Sequence, residues 1–140
     1  MNNNIKIANK LRSSGLRPTK QRVLIAEFLF EREKTFHFTV EDLENTINSK
    51  RHNKKISIAT FYNTVHALKN AGYLKEILTK NNKCYFDTNI GSHHHFFDLK
   101  NKKLTDIDSS KIKLKNIPNA PKGKSIKDID IVINIENDYQ

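Results

Sequence analysis

The chain has 140 residues, a formal net charge of +10 and a single cysteine. This length fits one domain or two very small ones, and it is shorter than most enzymes. One cysteine excludes an internal disulfide and any site built from several thiolates of one chain, so Cys84 is interpreted as a small apolar residue in a strand. No apolar run reaches the length of a membrane span and the N-terminal sequence lacks the apolar segment of a signal peptide, so we expect a cytoplasmic protein.

The positive charge is concentrated in the first part of the chain. Residues 1–86 contain sixteen lysines and arginines against seven acidic residues, whereas residues 87–140 contain nine against eight. This division indicates that the first part alone meets a polyanion, most simply nucleic acid. Acidic lipid is the competing partner, but no lysine-rich amphipathic helix with bulky aromatics favours it. A soluble basic protein without such a partner is the remaining alternative.

Four helices are predicted in the basic part of the chain. The second and third begin at threonines that fit the N-cap position. In the third, acidic residues follow the threonine in the pattern of a capping box. Pro18 keeps the residue before it extended, which separates the first helix from the second. The predicted helices are Ile5–Ser14, Thr19–Phe30, one that starts at Thr39, and Ser57–Gly72.

The fourth helix, Ser57–Gly72, is predicted to have one buried face and one free face. Ser57 fits its N-cap, and Gly72 fits the left-handed residue that ends a helix. The predicted buried stripe is Ile58, Phe61, Val65 and Leu68, and the residues that fall mostly off it are Thr60, Tyr62, Asn63, His66 and Lys69. Periodicity alone favours an ordinary amphipathic surface helix, so any further role depends on the rest of the chain.

Two β-favouring runs follow this helix and flank the polar sequence TKNNK at residues 79–83. This pattern is typical of a hairpin with an exposed tip. Helices in a helix-turn-helix arrangement followed by a hairpin make a winged helix. Lys80 and Lys83 then lie at the wing tip, while Arg17, Lys20 and Arg22 surround a helix entrance where they can meet phosphates.

Residues 87–92 contain turn-forming residues and no apolar pattern, so we place a hinge there between a domain at 1–86 and one at 93–140. The second domain is predicted to contain a hairpin with its turn at 100–102, a loop or at most one helical turn at 109–125, and a half-buried strand with isoleucines alternating over 129–135. Three strands in about 50 residues are too few for independent stability, so this domain is expected to pair with a copy of itself.

One cluster has the residue types of a chemical site. His93, His94 and His95 are consecutive, and Asp87, Asp98 and Asp106 are candidate carboxylates. In a strand, the first and third histidines point to one face and the second to the other, so two imidazoles can converge on one ion. Such ligands suit zinc, iron or manganese, and a polar strand without metal is the alternative. Nothing resembles a nucleophile with its base, so catalysis is not expected.

The order and spacing of GLRPTKQR, TVEDL, IATFYNTVHALKNAGYL, YFDT and the HHH strand resemble the ferric uptake regulator (Fur) family of bacterial metal-responsive transcription factors. The resemblance covers about residues 10–135. It implies an α+β homodimer with an N-terminal winged helix and a small α/β dimerisation domain containing a three-stranded sheet. It also implies repression or activation of genes in response to metal, peroxide or haem.

Carried over residue by residue, the resemblance places Tyr62 against a thymine methyl or base edge and Arg17 in a minor groove. The full set of expected DNA-binding residues is Arg17, Lys20, Arg22, Ser57, Thr60, Tyr62, Asn63, Lys80 and Lys83. The expected sensory metal ligands are His37, Asp87, His93, His95 and Asp106.

Two departures from the family pattern are visible. Asp98 and Asn101 stand where many members have a Cys-x-x-Cys pair for structural zinc, so that site is expected to be absent. Asn63 replaces a typical arginine and could pair with adenine, so the operator is expected to differ. Together with the histidine triplet, these features look like the iron response regulator (Irr) branch, which implies haem binding at His93, His94 and His95. A Cys-Pro haem motif is missing, because Cys84 precedes Tyr85.

The sequence therefore predicts a dimeric, DNA-binding regulator of iron or haem homeostasis that uses a divalent metal, with haem as the further ligand that the Irr resemblance implies. A zinc- or manganese-responsive Fur-family repressor is the alternative within this class. A nucleic-acid-binding protein without sequence preference is the alternative from another class, and a His/Asp metallohydrolase is a remote third.

Overall fold

The computed structural model describes residues 3–52 and 54–139. These residues form two compact units. The first unit ends at Ile90 and omits residues 79–81, whereas the second comprises residues 79–81 and those from Gly91 onward. The domain limits inferred from the sequence, with a hinge at 87–92, stay a prediction.

Four α-helices form most of the first unit, and the sequence predicted each of them. Their bounds are α1 Asn3–Ser13, α2 Lys20–Phe30, α3 Val40–Asn48 and α4 Ile58–Asn70. The side chains of Thr19, Thr39 and Ser57 accept backbone N–H groups at the starts of α2, α3 and α4, as the N-cap pattern predicted. Gly72 follows α4 with φ of +89°, which a residue without a side chain adopts readily.

The core of the first unit is one cluster of buried apolar side chains from all four helices. Phe61, Val65 and Leu68 of α4 are fully buried in it, but Ile58 is 43% exposed, so the predicted stripe was wrong at its first position. Ile58 is the first residue of the helix, and the face that packs inward instead includes Thr64. The Thr64 hydroxyl donates to the Thr60 carbonyl at 2.7 Å, which allows a polar residue to be buried there.

A three-stranded antiparallel sheet completes the first unit. The predicted hairpin is present as β2 Lys75–Leu78 and β3 Cys84–Asp87. A third strand, β1 His37–Phe38, pairs with β3 on the other side and was not predicted. This short strand places His37 directly opposite Asp87. Helices α3 and α4 followed by the β2–β3 hairpin give the winged-helix arrangement.

The second unit is built on a sheet of order β5-β4-β6. The predicted hairpin is present as β4 His93–Asp98 and β5 Leu104–Asp108, and a 3-10 turn at Ser109–Lys111 is the helical turn allowed for in residues 109–125. Strand β6 spans Val132–Ile135 and runs parallel to β4. The fold class is therefore α+β, as the sequence predicted.

The last strand differs from its prediction in length and burial. It was expected over 129–135 with one face buried, but the strand starts at Val132, and Ile133 and Ile135 are 39% and 37% exposed. The apolar residues that this unit buries lie on β4 and β5, namely Phe97, Leu104 and Ile107. Among the helices of residues 3–52 and 54–139, none combines the length and apolarity that crossing a membrane requires.

Candidate metal centre and DNA-binding surface

Two of the expected metal ligands face each other in the first unit. The Nε2 atom of His37 lies 3.2 Å from Oδ2 of Asp87, as the β1–β3 pairing dictates. The Asp87 side chain is 1% exposed, and its Oδ1 accepts the Asn89 N–H at 2.8 Å. A carboxylate this deeply buried needs a cation or several hydrogen bonds to offset its lost hydration. The pair therefore has the chemistry of a metal-binding half-site.

Three further expected ligands converge in the second unit. His93 and His95 project from the same face of β4, with ring centroids 4.5 Å apart. Their Nε2 atoms lie 3.5 Å and 3.3 Å from the same oxygen of Asp106 on β5. The register explains this convergence, because His95 is opposite Asp106 in the antiparallel β4–β5 pair.

The contact of His93 with the Gly91 carbonyl determines which ring nitrogen carries the proton. Its Nδ1 lies 2.6 Å from the Gly91 carbonyl, which can only accept a hydrogen bond, so Nδ1 carries a proton. In the neutral ring, Nε2 then presents a lone pair toward the carboxylate of Asp106. Two groups that both offer lone pairs are compatible at this distance when a cation lies between them or the imidazole is protonated. Orientation of a histidine through its other nitrogen is the usual support for a metal ligand.

His94 and Asp98 do not belong to this convergence. The Nδ1 atom of His94 accepts the Ile131 N–H at 3.1 Å, on the face of β4 opposite to His93 and His95. Asp98 instead stabilises the β4–β5 turn, where its carboxylate accepts the backbone N–H groups of Lys100 and Asn101, each at 2.9 Å. Those hydrogen bonds, with that from Asn101 first, lower the pKa of Asp98 below its ordinary value.

The expected DNA-reading residues of α4 are largely accessible, and three of them already have hydrogen bonds within the first unit. Ser57 and Thr60 share a hydrogen bond of 2.9 Å between their hydroxyls. The Tyr62 hydroxyl donates to Oε1 of Glu41 in the first turn of α3. Asn63 is exposed. The α4 surface therefore offers a hydroxyl pair, an anchored aromatic ring and a carboxamide.

The basic residues before and at the start of α2 form a local group. Arg17 and Lys20 are exposed, and a guanidinium nitrogen of Arg22 donates to the Arg17 carbonyl at 3.0 Å. Arg22 therefore helps to hold the segment that carries Arg17. Lys80 and Lys83, in the connection between β2 and β3, are also exposed.

Sequence reasoning missed the role of Glu41 on this surface, and it placed His66 on the exposed side of α4 without its ring contacts. Glu41 was interpreted as part of a capping pattern, yet it receives the Tyr62 hydroxyl. His66 packs its ring against the Tyr62 ring at 5.8 Å and against Phe86 at 6.0 Å. The four-residue spacing of Tyr62 and His66 on α4 was a usable signal for their contact. The contact between Glu41 and Tyr62 links two helices and had no local signal.

The fold and these side chains define a winged-helix protein with histidine and carboxylate residues suited to a divalent metal. The model of the ferric uptake regulator family matches residues 13–135. Because this match spans most of the sequence, the chain belongs to the ferric uptake regulator family.

Three similar proteins illustrate the range of the family. The peroxide-responsive repressor PerR of Staphylococcus epidermidis is 32% identical over 97 residues, which are 69% of this chain and 62% of PerR. The ferric uptake regulator of Pseudomonas aeruginosa, solved with manganese, has a TM-score of 0.67 at 19% identity and covers 94% of this chain and 97% of its own. The ferric uptake regulator of Vibrio cholerae, described for a rearrangement of its DNA-binding domains, has a TM-score of 0.67 at 15% identity. The match covers 97% of this chain and 100% of that one.

These likenesses have different scope. The two structural matches show the fold. The chain spans 62% of the length of the PerR protein it matches, so that protein's whole activity is not carried over with the likeness. None of these relatives singles out the iron response regulator branch, and haem binding stays a prediction.

Proposed function

We propose that this chain is a transcriptional regulator that binds specific double-stranded DNA and whose DNA affinity depends on a divalent metal. The observation that carries this proposal is the combination of an accessible α4 in a winged helix with histidines and carboxylates arranged as metal ligands. Family membership supports it, and so does the excess of positive charge in residues 1–86. The family favours a regulator over an enzyme, and repressors are among its members.

We further propose that His37 and Asp87 bind the same ion as His93, His95 and Asp106. The support is the resemblance to the family pattern together with the mutually oriented donors in each unit, of which Asp87, His93 and His95 are buried. When bound, the ion would supply the positive charge that the buried Asp87 carboxylate requires. Ligands from the first unit and the second would thereby be restrained together, which is the kind of two-state element that allosteric control requires.

Imidazole and carboxylate donors suit iron, manganese and zinc, so they do not select one metal. Fragment selection with each metal distinguishes an iron regulator from a zinc- or manganese-responsive repressor. Haem gains no support from the geometry of His94. Its Nδ1 accepts a backbone N–H, so Nε2 carries the proton in the neutral ring and has no lone pair for iron.

The second unit is proposed to pair with a copy of itself. It buries Phe97, Leu104 and Ile107 among the residues that the structure describes, while Ile133 and Ile135 of β6 are more than one third exposed. Pairing two such strands would remove apolar surface from water and complete a core that about 50 residues cannot provide alone.

Selection of bound genomic fragments, with and without Mn²⁺, Zn²⁺ or anaerobic Fe²⁺, tests the proposed function. We expect one enriched sequence whose affinity changes at least tenfold with one of these metals. Binding of all fragments alike would instead favour the nucleic-acid-binding protein without sequence preference. Enrichment that no metal alters would contradict the metal-dependent part of the proposal.

The histidine triplet provides a matched control for the metal site. His95→Ala should weaken metal binding by at least about 100-fold, because loss of a ligand exceeds the usual effect of losing an orienting residue. His94→Ala, one residue away on the opposite face of β4, should leave metal affinity nearly unchanged. Equal losses in both variants would contradict the assignment. A His94→Ala variant that also loses a haem Soret band would support the haem prediction.

Titration calorimetry tests whether the five ligands share one ion. A shared site predicts one sensory ion per chain in the wild type. His37→Ala and His95→Ala should then show non-additive losses, because either change already disrupts the same site. Two ions per chain with independent mutational effects would show that the two ligand sets are separate.

A further inference from the structure

Tyr62 is held at its hydroxyl by a residue that is not among the DNA-binding residues expected from the sequence. Its hydroxyl donates to Oε1 of Glu41, which lies in the first turn of α3. The N-terminus of α3 favours a negative charge at this position. The hydrogen bond from Tyr62, followed by a backbone hydrogen bond, lowers the pKa of Glu41, and the positive charge of Lys83 acts in the same direction. Glu41 is therefore a carboxylate at neutral pH.

The ring of Tyr62 is also supported from the side. His66 lies one turn further along α4, and the two rings meet edge to face at a centroid distance of 5.8 Å. His66 in turn packs against Phe86, whose side chain is 1% exposed. Tyr62 itself is 36% exposed. The ring is thus accessible but anchored at its hydroxyl by Glu41 and along its side by His66.

This anchoring determines what Tyr62 can offer to a DNA base. A hydroxyl whose proton is donated to a carboxylate is not available as a donor to a base edge. The side chain then offers its apolar ring, which suits contact with a thymine methyl group. Prior fixation of the side chain lowers the entropy that binding has to overcome. The carboxylate also repels phosphates, so it weakens binding to every DNA sequence alike.

We propose that Glu41 is a positioning residue for sequence recognition, which holds the Tyr62 ring for contact with a thymine methyl at the expense of overall DNA affinity. This inference rests on the proposed DNA-binding function. It predicts that sequence selectivity and total affinity respond in opposite directions to loss of Glu41.

Replacement of thymidine by deoxyuridine tests the proposal, because thymine differs from uracil only in its methyl group. The selected DNA fragment is prepared with each thymine replaced in turn, and affinities are measured for the wild type. At the thymine read by Tyr62 we expect about a fourfold loss, the usual effect of one methyl-sized apolar group. The Tyr62→Ala variant identifies this position, since it should lose the difference there and at no other thymine.

Glu41→Ala should abolish the difference between thymine and deoxyuridine at that position while binding the fragment at least as tightly as the wild type. Glu41→Gln preserves an oxygen acceptor and should retain the difference. Because Glu41→Gln removes a negative charge, this variant should bind DNA more tightly. The slope of the logarithm of its DNA affinity against the logarithm of salt concentration should steepen by up to about one unit. Tyr62→Phe, which keeps the ring and removes the hydroxyl, should also lose the difference between the two bases, but without a gain in overall affinity, because Glu41 keeps its charge. The double variant should show no further loss of the difference.

Glu44 provides the matched control. It lies on the same helix, but its carboxylate accepts a hydrogen bond from Asn48 at 3.2 Å. Glu44→Gln should leave the thymine preference unchanged. A Glu41→Ala variant that keeps the wild-type ratio between the two bases overturns the proposal, as does a wild type with no methyl dependence at any thymine. A wild type that selects no DNA sequence at all refutes the proposed function instead.

Discussion

The two units of this chain differ in how far each completes its own core. In the first unit, fifteen apolar side chains form one buried cluster that draws on every helix. In the second unit, the described buried apolar residues are Phe97, Leu104 and Ile107, and several isoleucines are exposed. The first unit thus has the burial expected of a domain that folds alone. The second has the composition of one half of an interface.

The same difference applies to their candidate sites. The first unit has an exposed α4 with an anchored tyrosine and an exposed carboxamide, which suits contact with another molecule. The second unit has two buried candidate ligands, since His93 and His95 are 6% and 2% exposed. Burial suits the exclusion of water from metal ligands, whereas exposure suits the reading of DNA bases. The exposed face of α4 therefore suits the proposed DNA binding, and the buried His93 and His95 suit the proposed metal binding, to which His37 and Asp87 of the first unit also contribute ligands in the proposal.

Truncation of Phe61 gives the largest expected effect and tests whether the first unit depends on its own core. Phe61 is fully buried, so Phe61→Ala should lower the free energy of unfolding by about 3–5 kcal/mol, measured by urea denaturation. Asn63→Ala, two residues away on the exposed side of α4, should change it by less than about 0.5 kcal/mol. A loss below about 1 kcal/mol for Phe61→Ala would contradict this description of the core.

Substitution of Asn63 tests whether sequence recognition belongs to the first unit. Asn63→Arg should shift the selected base from adenine toward guanine, with a change in discrimination of about 1–3 kcal/mol. Fragment selection with both proteins measures this shift. Asn119→Arg adds the same charge to the second unit at an exposed position, and it should leave the selected sequence unchanged. An unaltered preference in Asn63→Arg would remove Asn63 from the reading surface.

A charge on β6 tests whether the second unit needs a copy of itself. Ile133→Asp should raise the dimer dissociation constant at least about tenfold, because burial of an isoleucine contributes about 1.5–3 kcal/mol. Sedimentation velocity over a range of concentrations measures this change. Ile5→Asp, on the exposed side of α1, is the matched control and should not alter association. A variant at Ile133 that associates as the wild type does would place the interface elsewhere.

Removal of a helix cap should have a smaller effect that again separates the units. Thr39 accepts the Asp42 N–H at the start of α3, so Thr39→Ala should lower the free energy of unfolding by about 1 kcal/mol. Asp108→Ala removes a comparable hydrogen bond to the Ser110 N–H, but it caps a single exposed 3-10 turn in the second unit. We expect a smaller loss for Asp108→Ala, measured in the same denaturation assay. A larger loss for Asp108→Ala than for Thr39→Ala would contradict the view that the first unit depends more on its helix caps than the second unit does.

The smallest expected effect is a dependence of stability on acid pH. The Tyr62 hydroxyl lowers the pKa of Glu41 in the folded state, so this group stabilises the fold above its ordinary pKa. That contribution should disappear as the pH falls from about 4.5 through the lowered pKa of the folded state. Glu41→Gln should reduce the acid sensitivity of the first unit, as followed by thermal denaturation between pH 3 and 7. Equal sensitivity in the variant would show that the hydrogen bond has no net effect.

Local sequence patterns determined most of the secondary structure. Threonine and serine caps marked the starts of α2, α3 and α4, because an N-cap hydrogen bond forms within four residues. The pairing of His95 with Asp106 was also within reach, since a hairpin with a short turn fixes its register. The convergence of two alternate histidines on one face followed from the period of a strand.

Non-local packing decided the rest. The two-residue strand β1 carries no periodic signal, yet its pairing with β3 places His37 opposite Asp87. The contact of Glu41 with Tyr62 joins two helices across the turn between them, and no spacing rule anticipates it. Exposure of Ile58 and of Ile133 was likewise invisible, because apolar periodicity shows which residues share a face but not whether that face is covered.

The sequence by itself therefore determined the helices, the hairpins, the strand face shared by His93 and His95, and the excess of positive charge in residues 1–86. Each of these depends on interactions within a few residues or on composition alone. Tertiary structure decided the pairing of His37 with Asp87 and the anchoring of Tyr62 by Glu41. Such contacts join residues far apart in the chain, and their geometry is set by how whole elements pack.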